Sequence, residues 1–204
     1  PEGGSYVIFK AYEAKAFNQY MLITGNDTKN SSGRNWKTWK IWGANIKGDM
    51  DEMATRDFGS WTLIDQKENI GNDRLPAANF APAYFCISKE WEQGYKYFMI
   101  EVEAAADGGS IQMSEFKFLS DEEYTTIRQV YVDSLTKVSM ALADLGEGIE
   151  LPDDVKQKLI AQFTETIGAK ITAVATATAD NLLPNFNEAI NYITVEVPAI
   201  IAIA

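Results

Sequence analysis

Histidine is absent from the 204 residues, and there is a single cysteine. The first absence removes Ser–His and Cys–His nucleophiles, histidine metal triads and imidazole pH switches. The second removes internal disulfides and thiolate metal clusters. Cys86 sits in the apolar run 84–87 and reads as a small buried hydrophobe. No stretch approaches the ~20 apolar residues of a membrane helix, so membrane insertion is not expected. The apolar end, 195–204, is short and interrupted by Pro198. Basic side chains number 18 against 29 acidic ones, a net charge of −11. That balance argues against a phosphate-gripping surface and so against nucleic acid as a partner. It suits the solubility of an extracellular or cell-surface protein. Neither a P-loop nor a dinucleotide glycine fingerprint occurs.

What is present is unevenly distributed. All five tryptophans precede Leu119, and beyond it the aromatics are only Tyr124, Tyr131, Phe163, Phe186 and Tyr192. Residues 1–120 carry 13 basic and 16 acidic side chains, whereas 121–204 carry 5 and 13. A boundary near Ser120 follows, giving domains 1–119 and 120–204.

The first domain reads as β. Runs rich in β-branched and aromatic residues predict strands over 6–10, 19–24, 38–44, 60–65, 84–88, 95–103 and 110–119, separated by Gly, Asn, Asp and Ser breaks. Alternation puts Trp39 and Ile41 on one face of a strand and Lys40 and Trp42 on the other. It likewise points Phe98, Ile100 and Val102 at a core, and Tyr97, Met99, Glu101 and Glu103 at solvent. Such a set of short strands with long loops suggests a sandwich or jelly roll.

The second domain reads as helix. Ser120-Asp121-Glu122-Glu123 is a start signal, and Tyr124, Ile127, Tyr131, Leu135, Val138, Leu142 and Leu145 form one apolar stripe. Gly146 and Gly148 stop it. A second helix starts near Pro152, with Val155, Leu159, Phe163, Ile167, Ile171 and Val174 on one face and Gly168 as a kink or break. A short third helix is expected over 185–192, with Pro184 as its starter. The end, ITVEVPAIIAIA, suits a β-strand, which either pairs with a sheet edge or inserts into another molecule.

Candidate chemistry is sparse. Glu101 and Glu103 share a strand face about 7 Å apart, a separation that inverting glycosidases use, but a solvated strand face explains them as well. Asp49, Asp51 and Glu52 lack the alternating ligands, central glycine and closing Glu of a calcium loop. The acidic run 144–150 lacks them too. Aromatics offer sugar platforms as well as core filler. Trp39, Trp61 and Phe98 read as core. Trp36, at a loop-to-strand junction, and Trp91 read as candidates for an exposed edge. Asn26, Asp27, Arg34 and Asn35 flank Trp36 in a polar loop. They either hydrogen-bond sugar hydroxyls or tie down their own loop.

The runs Tyr20-Met-Leu-Ile-Thr-Gly-Asn-Asp-Thr28, Gly33-Arg-Asn35, Trp39-Lys-Ile-Trp-Gly-Ala-Asn45, Trp61-Thr-Leu-Ile-Asp65, Tyr95-Lys-Tyr-Phe-Met-Ile-Glu101 and Gln112-Met-Ser-Glu-Phe116 together resemble the discoidin, or coagulation factor 5/8 type C, family over about residues 5–119. The resemblance implies a galactose-binding-like jelly roll that recognises glycans through loops at one end, often beside a structural calcium. Glu115 matches the acidic residue near the family's last strand that often helps hold that calcium. The Pro-Arg and Asn-Gly pairing of galactose-binding members is replaced by Thr24-Gly25 and Arg34-Asn35. The helical half matches no family we can name.

The sequence therefore predicts a mainly β jelly-roll sandwich followed by a small α-helical bundle. The expected function is non-catalytic carbohydrate binding by a secreted or cell-surface protein, the candidate site residues being Asn26, Asp27, Arg34, Asn35 and Trp36, with Trp36 as the stacking platform. The rival reading is a structural or adhesive assembly protein. There the jelly roll is scaffold, and the helices and C-terminal tail drive self-association or bind a protein partner.

Overall fold

In the computed structural model, residues 5–45, 61–88, 94–145 and 151–203 are described here. Asp49, Asp51, Glu52, Trp91 and the acidic residues of 146–150 lie outside them. The chain divides into two compact units, Pro1–Asp121 and Glu122–Ala204.

The first unit has seven strands among the described residues: β1 (Ser5–Lys15), β2 (Gln19–Ile23), β3 (Trp36–Ala44), β4 (Thr62–Lys67), β5 (Pro82–Cys86), β6 (Tyr95–Ala105) and β7 (Glu115–Leu119). They form two antiparallel sheets, β1-β6-β3-β4 and β5-β2-β7. Period-two alternation makes this a sandwich. Tyr20, Leu22 and Phe85 from one sheet meet Trp39, Ile41, Phe98 and Ile100 from the other in a single buried cluster. Aromatic rings interlock there, with Tyr20 stacked on Phe85 at 5.4 Å and Trp39 edge-on to Phe85 at 5.1 Å. Each such pair adds about 0.5–1.5 kcal/mol beyond its area.

The core also contains a polar chain. Trp39 Nε1 donates to the Tyr20 hydroxyl at 2.9 Å, and that hydroxyl donates to Asp65 Oδ2 at 2.8 Å. The other Asp65 oxygen accepts from Lys67 Nζ at 2.8 Å and from the amide and hydroxyl of Ser88. Asp65 comes inward through a bulge. Ile41 pairs with Asp65 but Trp42 with Leu63, so β4 has one extra residue. The consecutive residues Ile64 and Asp65 are both buried as a result.

Three expectations for this unit change. The last strand begins at Glu115, and 110–114 are loop. Tyr97, Met99 and Glu101 do not face solvent: Glu101 is buried, and Tyr97 and Met99 form with Ala44 and Trp61 a second buried cluster on the outer face of the four-stranded sheet. Cys86 is only half-buried.

The second unit has α1 (Asp121–Leu145), α2 (Asp153–Ala175), α3 (Leu182–Asn191), a π-turn at Tyr192–Glu196 and α4 (Val197–Ile203). Leu135, Phe163, Ile167 and Val174 of the expected stripes are buried. Gly168 does not split α2. Pro184 falls in the first turn of α3, where a missing N–H costs nothing. The C-terminal end is helix, not strand. Ile193 and Val197 are buried and Ile201 half-buried, a spacing of four that fits a helix. Pro198 would clash with the Thr194 carbonyl in a regular α-helix. The π-turn just before it moves the bonding to the Val197 N–H and Tyr192 O, five residues apart. No described helix is long and apolar enough to cross a membrane.

Candidate functional site

Three loops meet at one end of the sandwich: 24–35 between β2 and β3, 68–81 between β4 and β5, and 106–114 between β6 and β7. They are pinned by hydrogen bonds between residues far apart in sequence. The Thr24 hydroxyl donates to the Ala78 carbonyl at 2.5 Å and accepts from the Ala81 amide at 2.9 Å. Lys29 N donates to Asn79 Oδ1 at 2.7 Å, and Phe80 N to the Gly25 carbonyl at 3.3 Å. Gln112 reaches back to the Thr28 hydroxyl at 3.0 Å, while its amide donates to the Arg34 carbonyl at 3.1 Å. Gly33 lies close under Asp107: a Cβ there would lie 2.0 Å from Asp107 Oδ2 and would push that carboxylate aside. Rigid loops of this kind hold a binding surface without ordering cost on contact.

The structure separates the residues that the sequence grouped. Asn26 is exposed. Arg34 is exposed too, but its Nη1 donates to Asp27 Oδ2 at 2.9 Å. The other carboxylate oxygen, Asp27 Oδ1, is buried with no partner among the described residues. Asn35 is 1% exposed, its Nδ2 donating to Asn72 Oδ1 at 3.0 Å and to the Leu75 carbonyl at 3.3 Å. It is a staple between loops, so the loop-tying alternative describes it. Trp36 is 5% exposed and packs edge-on against Trp39 at 5.9 Å. An indole so placed cannot stack on a sugar, and the expected platform is corrected. The reason lies in β3. Simple alternation from Trp39 would turn Trp36 outward, but the β3–β6 register shifts twice between Trp36 and Trp39. Both indoles therefore go inside. The Trp36 Nε1 has no hydrogen-bond partner among the described residues.

Glu115 is exposed on β7, across from Ile23. Among the described residues no three Asp, Glu, His or Cys side chains cluster. Calcium takes six to eight oxygens, backbone carbonyls among them, so no cluster of described carboxylates by itself supplies the site that the resemblance implied. The glycosidase geometry also dissolves: Trp42 Nε1 donates to Glu101 at 3.3 Å, and Glu103 is paired with Lys40.

The aromatic that does face outward at this end is Phe80. It is 62% exposed, with φ at 53°. Its amide sits on Gly25, next to Asn26, and its neighbour Asn79 holds Lys29. The sequence carried one signal for it. In Ala77-Ala-Asn-Phe-Ala-Pro82, a lone phenylalanine stands outside any apolar period, among small and turn-forming residues.

No protein-family model matches this chain, and neither does any curated protein. The chain is similar in structure to a SusE-like protein. That match has 13% identity and a TM-score of 0.45, over 59% of this chain and 71% of the other. A likeness at that level carries no functional argument, so the residues themselves must carry it.

Proposed function

We propose that the sandwich is a non-catalytic carbohydrate-recognition module in which Phe80 is the stacking platform and Asn26, Asp27 and Arg34 supply hydrogen bonds beside it. The observation that carries this is a side chain the fold does not use. A bulky residue in the left-handed region costs about 1–2 kcal/mol. Phe80 bears that strain while mostly exposed, and it has no ring contact among the described residues. Strain of this kind gathers at functional positions. A phenyl face held open beside amide, carboxylate and guanidinium groups suits a pyranose, which presents an apolar C–H face and a rim of hydroxyls. The carboxylates support binding over catalysis, because Asp65, Glu101 and Glu103 are committed to Lys67, Trp42 and Lys40. Jelly-roll connectivity, kinship with discoidin modules and a secreted or surface setting belong to the same proposal.

Binding per site is expected to be weak, because a sugar exchanges water hydrogen bonds for similar protein ones. Glycan-array screening followed by calorimetry tests it. Phe80→Ala should abolish binding with an unchanged melting curve, and Trp36 should stay silent in ligand-induced fluorescence quenching. Full binding by Phe80→Ala would end the proposal.

A second reading, assembly through the C-terminal helices, rests on the exposure of Val195 and Ile200. Light scattering on a Val195→Lys/Ile200→Lys chain tests it. The reading needs a wild-type oligomer that this variant loses.

A further inference from the structure

We infer that the Phe80 platform takes an acidic sugar, whose carboxylate pairs with the ammonium of Lys29. This rests on the carbohydrate-binding reading and adds the class of sugar. The sandwich pairs its cations with some regularity. Lys15 is bonded to Glu13, Arg34 to Asp27, Lys40 to Glu103 and Lys67 to Asp65. Lys10 lies over the Tyr97 ring and Arg74 over the Phe85 ring. Lys29, Lys37 and Lys96 have no anion or ring among the described residues, and of these three Lys29 is the exposed one.

Its place is nevertheless fixed. The Lys29 amide donates to Asn79 Oδ1 at 2.7 Å, and Asn79 directly precedes Phe80. One short hydrogen bond therefore sets the backbone of this lysine beside the strained aromatic. The carboxylate nearest in the same loop, Asp27, is already neutralised by Arg34. An aromatic face with a lysine anchored next to it by its backbone matches a pyranose bearing a carboxylate. The net charge of −11 does not oppose this at contact range. Its long-range field is screened within about 8 Å at physiological salt.

Methyl β-glucuronide and methyl β-glucoside differ only at C6, where one has a carboxylate and the other a hydroxymethyl group. Both would be titrated into the full ¹⁵N-labelled chain, following the Lys29, Asn79 and Phe80 amides. The glucuronide should bind about two- to fivefold tighter, the range of an exposed ion pair. That advantage should vanish in Lys29→Gln and in high salt. Phe80→Ala should lose both ligands. Equal affinity for the two glycosides, or a glucuronide preference that survives Lys29→Gln, overturns the inference and leaves the platform standing. No response to either glycoside overturns both.

Discussion

The two units satisfy their polar side chains in opposite ways. In the sandwich the partners are remote. Tyr20 bonds Asp65, Gln112 bonds Thr28, and Asn35 bonds the Leu75 carbonyl. In the helical unit most are local, although Tyr124 and Arg128 reach the Ala177 carbonyl and Lys170 reaches Glu188. Thr126, Ser134, Thr136, Thr164, Thr172 and Thr194 each donate to the carbonyl four residues back. A remote bond is made only when both strands are in place, so it specifies tertiary structure. A back-bond needs nothing but the helix, and it contributes little to how helices choose neighbours. The sandwich is thus the part whose loops can be held in a strained, working arrangement.

This contrast can be broken most severely at Asp65. Asp65→Ala takes the acceptor from the buried Tyr20 hydroxyl and the counter-charge from the half-buried Lys67 ammonium, a loss of about 3–5 kcal/mol. Urea unfolding should show the tryptophan transition shifting, while the helical circular-dichroism transition holds. Coincident shifts would mean that the units unfold as one. In the helical unit, Leu135→Ala should cost about 2–4 kcal/mol, because Leu135 is fully buried. Thr164→Ala, which removes only a back-bond, should stay within about 0.5 kcal/mol of wild type by the same measurement.

Phe80→Gly sharpens the comparison from the other side. Glycine relieves the left-handed strain but loosens the unfolded chain, so the melting free energy should change by less than about 1 kcal/mol, on the stabilising side. Glycan binding should be lost all the same. A clear destabilisation would show that the phenyl ring serves the fold.

The smallest effect is in acid. Hydrogen bonds from Gln19, then Asn18, hold the Asp121 carboxyl below the usual aspartate value near 3.8. The Lys170 ammonium, by hydrogen bond and then by charge, holds Glu188 below the usual glutamate value near 4.5. Both shifts are downward, so each contribution is complete above the ordinary value and disappears as pH falls through the lowered one. Salt of about 1 M should return Glu188 toward normal and leave Asp121 where it is, because the first partner is charged and the second pair are neutral amides. A carboxyl NMR titration at two ionic strengths reads both.

Much of the architecture was legible. The switch of hydrophobic period from two to about 3.6 near Ser120, the core roles of Trp39 and Phe98, and the stripes of α1 and α2 all follow from side-chain spacing. The C-terminal segment misled because its β-branched residues favour strands by propensity, whereas the buried positions at intervals of four favour a helix. The site was the least legible part. Asn26, Asp27 and Arg34 do lie at the loop end. Trp36 and Asn35 go inside, and Phe80 takes the outward place.

Taken alone, the amino-acid order determined which chemistries this protein lacks and which segments carry an apolar face. Both depend only on residue type and spacing along the chain. The tertiary structure decided which indole is hidden and which phenyl ring is offered. Those outcomes depend on register shifts and on hydrogen bonds across dozens of residues, such as Thr24 with Ala78. Local spacing has no access to where a strand slips by one residue, and a single slip reverses the side that a side chain faces.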